Sequence, residues 1–208
     1  MFFLARKQGQ RYLRSKQREY LDKAMVNYTK LILLSPLSRL QHHPIILHAF
    51  LSLARTLVLR SIVSKQPEDA IYATKYLSYL RDQPHEIPTI PRYQITGLLV
   101  DALASQVKLD AGNVMQNIRE MLVLSRELLE TSDVDANYFM LPIHAVVISK
   151  IRPLPAVPGQ LLDELIEFLR VVRKRKPDLL EGHMTLARSL ACRYVIKAQP
   201  YRRSWYEI

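Results

Sequence analysis

Apolar residues recur along this chain at helical spacing, in stretches separated by proline-bearing or polar breaks. The pattern predicts helices over about 4–17, 20–34, 45–63, 67–82, 92–109, 112–130, 138–151, 160–175 and 182–198. Local chemistry marks several boundaries. Pro67, Glu68 and Asp69 suit a first turn, where proline lacks no needed donor and carboxylates meet the positive end of the dipole. Arg173, Lys174, Arg175 and Lys176 suit the negative end of a helix that stops before Pro177. The stretch Tyr138–Ile151 is ambiguous: its Ala-Val-Val-Ile core favours strand, and Pro142 must open or kink a helix. It is assigned to helix because no second strand is available to pair with it.

A longer period runs over these helices. Ala24, Tyr28, Leu31 and Pro36 stand at offsets 0, +4, +7 and +12, and Leu165, Leu169, Val172 and Pro177 repeat them. Between lie Ala70, Thr74 and Leu77, then Asn117, Met121 and Leu124, so the steps are 46, 47 and 48 residues. A period of this size signals one helix pair stacked repeatedly, because a lone pair cannot bury its own apolar face. The expected fold is all-α, antiparallel helix pairs stacked as a right-handed α-solenoid. It forms a single helical-repeat domain over 1–198, with approximate repeats 4–36, 45–82, 92–130 and 138–177, a half repeat at 182–198, and a short tail at 199–208. The half repeat carries Met184, Leu186, Leu190, Ala191 and Val195 with no following helix to cover them. Three outcomes are open: self-association or a partner on that face, cover by the tail, or a chain that is a truncated fragment of a longer array without an independent role.

Composition narrows the class. At 208 residues and 49% hydrophobic content the chain can build a sizeable core. Five glycines argue against a glycine-rich β design, and the twelve prolines fall almost entirely between apolar-periodic stretches. The single cysteine, Cys192, allows no internal disulfide, so no oxidising compartment is required. Arg55 and Arg60 interrupt the most apolar stretch, Ile45–Val63, and no membrane partner is expected. A cytoplasmic location fits, with nucleus or mitochondrion also compatible. Charge is uneven: residues 1–66 carry twelve Lys/Arg against Glu19 and Asp22, whereas residues 67–208 are nearly balanced. Arg6, Lys7, Arg11, Arg14, Lys16 and Arg18 all precede the first acid. A solvated helix face, an acidic or phosphate-bearing partner, and an Arg-rich presequence are the competing readings.

No catalytic constellation emerges, and the chain is read as a non-enzyme with no cofactor and no metal. Cys192 lies inside a helix and lacks the Gln-Ala-Cys-x-Gly turn of caspase-like nucleophiles. His42, His43 and His48 show no metal-ligand spacing and have no nearby acid. No phosphate-binding glycine loop exists. Asn27-Tyr-Thr29 matches a glycosylation acceptor but sits within a helix. The acid pairs Asp133/Asp135 and Asp163/Glu164 fall at helix beginnings, where the dipole explains them.

The segment Leu21-Asp-Lys-Ala-Met-Val-Asn-Tyr-Thr-Lys-Leu-Ile-Leu-Leu-Ser-Pro36 resembles the second helix of a tetratricopeptide repeat (TPR). That family places a small residue, an aromatic, an apolar residue and a closing proline at these offsets. Ser64-Lys-Gln-Pro-Glu-Asp-Ala-Ile-Tyr-Ala-Thr-Lys-Tyr-Leu, with Leu80-Arg-Asp-Gln-Pro-His85, resembles divergent repeat regions of large fungal proteins, often found upstream of a CHAT protease domain. The resemblance covers roughly 19–197 and weakens after the first repeat. The second keeps Ala70 and Leu77, the third has Asn117 at the small position, and the fourth has Leu165 there. The period exceeds the family's usual ~34 residues. The excess lies in linkers such as Leu37–His43 and His85–Pro91. A HEAT-like or other α-solenoid fits the same period.

The resemblance implies a TPR-like scaffold for protein–protein interaction, in which the first helix of each pair lines a groove. Here those helices contribute Arg55, Arg60, Lys108, Lys150, Arg188 and Arg193, against Asp101 alone. Such a groove would take a protein or peptide partner that is acidic or ends in a carboxylate. The runner-up is a basic α-helical RNA-associated protein, with charge from residues 1–30 and aromatics from Tyr12, Tyr20 and Tyr28. No base-reading code accompanies that charge, so nucleic-acid binding is expected to be at most nonspecific.

Overall fold

The computed structural model describes residues 1–34, 43–82, 90–131, 159–175, 177, 184–191 and 193. Among these the chain is all-helical, with no strand: α1 (Phe2–Ser15), α2 (Arg18–Leu34), α3 (Pro44–Ser64), α4 (Pro67–Arg81), α5 (Arg92–Lys108), α6 (Val114–Thr131), α7 (Gly159–Arg175) and α8 (184–191, with 193). The ends of α1 to α7 lie within two residues of the expected ones. The stretch 138–151 expected to be helical, Pro36, Lys150, Cys192 and the tail lie outside the described residues.

The helix ends follow from local chemistry. Two very short connections join α1 to α2 and α3 to α4. At each, a lysine takes the left-handed conformation, Lys16 at φ 58° and Lys65 at φ 52°. The Lys16 N–H then closes on the Tyr12 carbonyl at 2.7 Å, satisfying one of the orphan acceptors of α1. His43 caps α3, its Nδ1 accepting from the Ile45 N–H at 3.3 Å, and Pro44 follows at the first helical position. Pro67 opens α4 with Glu68 and Asp69 in the first turn. The α5–α6 connection turns through Asp110 (φ 59°) and Gly112 (φ 69°) before Asn113 accepts from the Gln116 N–H at 3.1 Å. That turn starts α6 two residues later than the apolar pattern suggests.

Where the sequence suggests one repeat domain over 1–198, packing groups the chain into two compact units, Met1–Asn117 and Ile118–Ile208. In the first unit, each helix from α1 to α5 packs on the next. In addition α1 touches α3, and α3 touches α5. The helix α3 is therefore central, meeting α1, α2, α4 and α5, and it buries Ile46, Leu47, Ala49, Leu53, Ala54, Leu57 and Val58. By length and composition it is the one described helix apolar enough to cross a membrane, but half of that apolar window is buried inside the protein. Its contacts with four other helices account for its hydropathy. Arg55 and Arg60, which interrupt the stretch in sequence, do not shorten it below spanning length.

Most of the described positions of the repeat frame are interior. Ala24, Ala70, Met121, Leu169 and Val172 have no exposure, and Tyr28, Leu77, Leu124 and Leu165 are buried. Leu31 and Thr74 are half-buried, and Pro177 is exposed in a turn. Asn117, at the frame position where a small residue is expected, is buried and hydrogen-bonded. Its Nδ2 donates to Gln106 Oε1 at 3.2 Å and to the Ala111 carbonyl at 3.4 Å. Gln106 Nε2 in turn donates to Thr74 Oγ1 at 2.6 Å and to the Ala70 carbonyl at 3.4 Å, so a polar chain ties α4, α5 and the start of α6 together. In the second unit, α6 contributes Ile118, Met121, Leu122, Leu124 and Leu128 to the interior. From α7 come Leu161, Leu162, Leu165, Ile166, Phe168, Leu169 and Val172. At the end of α7, Arg175 Nη1 donates to the Leu129 carbonyl at 3.1 Å, so part of that basic run binds backbone.

Candidate functional site

Two surfaces of the first unit carry chemistry. The first runs over α3 and α5. Arg55 stands one heptad after His48 on α3, and Lys108 one heptad after Asp101 on α5, so each pair shares a helix face. Arg55 and Lys108 are exposed, whereas Asp101 is partly buried. Burial pushes the Asp101 carboxyl up to about 6, and the charges of Lys108 and then Arg55 pull it back only in part. The charges of Arg55 and Lys108 thus both act on one desolvated carboxyl without closing an ion pair on it. The neighbouring Ser105 hydroxyl donates to the Asp101 carbonyl at 2.9 Å, and so is spent on the helix backbone.

On the α1 side, Tyr28 is buried with its hydroxyl against Ser52 of α3. Burial raises its pKa, while Ser52 and the charge of Arg6 act in the opposite direction. Asn27 Nδ2 donates to Gln8 Oε1 at 2.8 Å and to the Lys23 carbonyl at 3.0 Å, fixing α1 on α2.

The second surface is a cleft of about 210 Å³ between α2 and α4, floored by α3. Met25 and Thr29 form one wall, Tyr72 and Tyr76 the other, and Leu53 and Leu57 the floor. Arg60 and Asp69 also line it. Arg60 Nε donates to Asp69 Oδ2 at 2.7 Å, Nη2 donates to the other Asp69 oxygen, and Nη1 reaches Asp22 Oδ1 at 3.1 Å. Asp69 is buried, so the pair joins α3 and α4 in a bidentate contact shielded from water, and Asp22 extends it to α2. Phe50 stacks beside Tyr76 and Tyr79 at 5.7 and 6.0 Å between ring centroids.

Of the cations expected to line a groove, Arg55 and Lys108 act electrostatically on Asp101, whereas Arg60 turns to Asp69 and Asp22. In the second unit Arg193 is taken up by Asp163, donating from Nε and Nη2 at 2.6 Å each. α7 begins at Gly159 and has no acid in its first turn, so Asp163 and Glu164 lie past the helix beginning expected for them, and Asp163 is engaged by an ion pair instead. Arg188 is exposed. The Arg60–Asp69 pair had a signal in the sequence: opposite charges nine residues apart, on either side of a short break ending in Pro67, meet when the two helices fold back. The burial of Asp101 had none, since it depends on how deeply α5 sits against its neighbours.

Tyr12 and Tyr28 are interior, and the Arg11 guanidinium lies over the Tyr20 ring at 5.9 Å. Among the described residues no three His, Cys, Asp or Glu side chains converge as a metal site would require. No protein-family model matches the chain, and no curated protein and no solved structure matches it.

Proposed function

We propose that the chain is a non-catalytic scaffold, a TPR-like right-handed stack of helix pairs that holds a protein or acidic-peptide partner on the face of α1, α3 and α5. The observation that carries this reading is the alternation of contacts in the first unit: α3 touches α1 and α5 as well as its sequence neighbours α2 and α4. Stacked pairs produce this pattern by placing their first helices in one layer. On α3 and α5 the exposed Arg55 and Lys108 offer positive charge, and Asp101 is the acid on which both charges act. A carboxylate-bearing peptide lying across α3 and α5 would exchange bulk water for two cations, with the unfavourable Asp101 charge partly quenched by burial. Cytoplasm is the location this role suggests.

Fluorescence anisotropy with a labelled decaglutamate peptide tests the reading. The native chain should bind it, and Arg55→Ala with Lys108→Ala should abolish binding while leaving the helical signal intact. Binding that survives this double change but is lost on neutralising cations elsewhere would remove the α3–α5 face from consideration.

A further inference from the structure

We propose that the outer face of α1 is a docking surface for an anionic phospholipid bilayer. The helix lies against α2 and α3 through Ala5 and Tyr12, both buried, which fixes which side faces water. On that outer side Phe3, Lys7, Gln10 and Arg14 follow at three- and four-residue spacing and form the crest. Leu4 and Arg11 flank one side of the crest and Arg6 and Leu13 the other, and all eight are exposed. Phe3 is 80% exposed, Leu4 53% and Leu13 52%, so three large apolar side chains stand in water along about three turns of one helix.

The same face carries no acid. Arg6, Lys7, Arg11 and Arg14 make no ion pair with any described residue, and α1 itself contains no Asp or Glu. The nearest acids, Glu19 and Asp22, are engaged with Lys23 and with Arg18 and Arg60. Among the described residues, therefore, no acid neutralises the charge of Arg6, Lys7 and Arg14, and Arg11 engages only the Tyr20 ring. Cations at the level of lipid phosphates, with apolar side chains among them reaching the acyl boundary, are the two components of interfacial binding.

The mixture separates a bilayer from RNA. An RNA-binding face would present aromatic planes to unstacked bases. Here Tyr12 is buried, the Tyr20 ring is covered by Arg11, and the Phe3 ring packs edge-on against Phe2 with 5.8 Å between centroids, so the face offers no open aromatic plane for stacking among the described residues. Leu4 and Leu13 give nothing to a phosphodiester backbone, but they are taken up by lipid.

Flotation of the full-length chain with vesicles decides the matter. At about 0.15 M salt the chain should float with phosphatidylcholine vesicles containing about 30 mol% phosphatidylserine and stay behind with pure phosphatidylcholine. Lys7→Gln with Arg14→Gln should weaken partitioning about tenfold or more. Phe3→Ser with Leu4→Ser should weaken it about tenfold while leaving the salt dependence unchanged. Arg173→Gln with Lys174→Gln, equal in charge but placed on α7, should have no effect. All four positions on α1 are exposed, so the helix survives these changes. Equal partitioning of the native chain and both α1 variants would overturn the proposal. So would tighter binding to single-stranded RNA that is indifferent to Phe3→Ser with Leu4→Ser.

Discussion

Replacing Asp101 by Asn should stabilise the protein at neutral pH, and the gain should disappear in acid. The carboxyl titrates near 6 in the fold against 3.8 in the unfolded chain, chiefly because burial disfavours its charge. Its folded pKa is raised, so between those values the native state binds more protons than the unfolded one, and stability falls as pH rises. Above about pH 6 the penalty is fully present; below about pH 4 the group is neutral in both states and costs nothing. At about 1.4 kcal/mol per unit, the shift corresponds to a ceiling of about 3 kcal/mol. The Asn amide still loses water on folding, which leaves a net gain of about 1–2 kcal/mol, or several degrees in Tm for a chain of this length. Urea unfolding followed by circular dichroism from pH 4 to pH 8 would show the two proteins converging in acid and separating at neutrality. A constant difference at every pH, or an Asn variant that is less stable at pH 8, would refute the assignment. The same substitution should tighten capture of an acidic peptide, because it removes the negative charge on which Arg55 and Lys108 both act.

Other perturbations address the packing. Ala24→Phe inserts a ring at a fully buried helix contact and should cost about 1–3 kcal/mol, whereas Lys23→Gln, at an exposed ion pair with Glu19, should leave the melting temperature unchanged; equal shifts would show that the small position of the repeat frame is not a close contact. Gly112→Ala places a Cβ 3.3 Å from Gln106 Oε1 at φ 69° and should cost roughly 1–2 kcal/mol, read by thermal melting; a neutral result would mean that the turn relaxes freely. Asp69→Asn leaves Arg60 without its buried partner and should cost about 2–4 kcal/mol. A double-mutant cycle with Arg60→Met should recover part of that loss, and strict additivity would deny the coupling.

The helices were legible in the sequence because their causes are local. Apolar spacing, the prolines at 44, 67 and 177, and charges matched to helix ends act within one or two turns. The frame residues Ala24, Tyr28, Ala70 and Leu77 could be marked as interior because small and apolar side chains at helical spacing mark the buried side of a helix. What the side chains do to one another could not be read in the same way. Asn117 looked like a defect in the frame, but across the turn it meets Gln106, and a hydrogen bond replaces close packing. Arg55 and Arg60 sit five residues apart on one helix and looked equivalent. Five residues is about 140° of helix rotation, so one faces water beside Asp101 while the other meets acids on α2 and α4. The apolar pattern of α1 likewise shows an amphipathic helix but not which of its apolar residues are covered. Ala5 and Tyr12 are buried and Phe3, Leu4 and Leu13 are not, because a helix that meets α2 and α3 along one narrow line can bury only the side chains on that line.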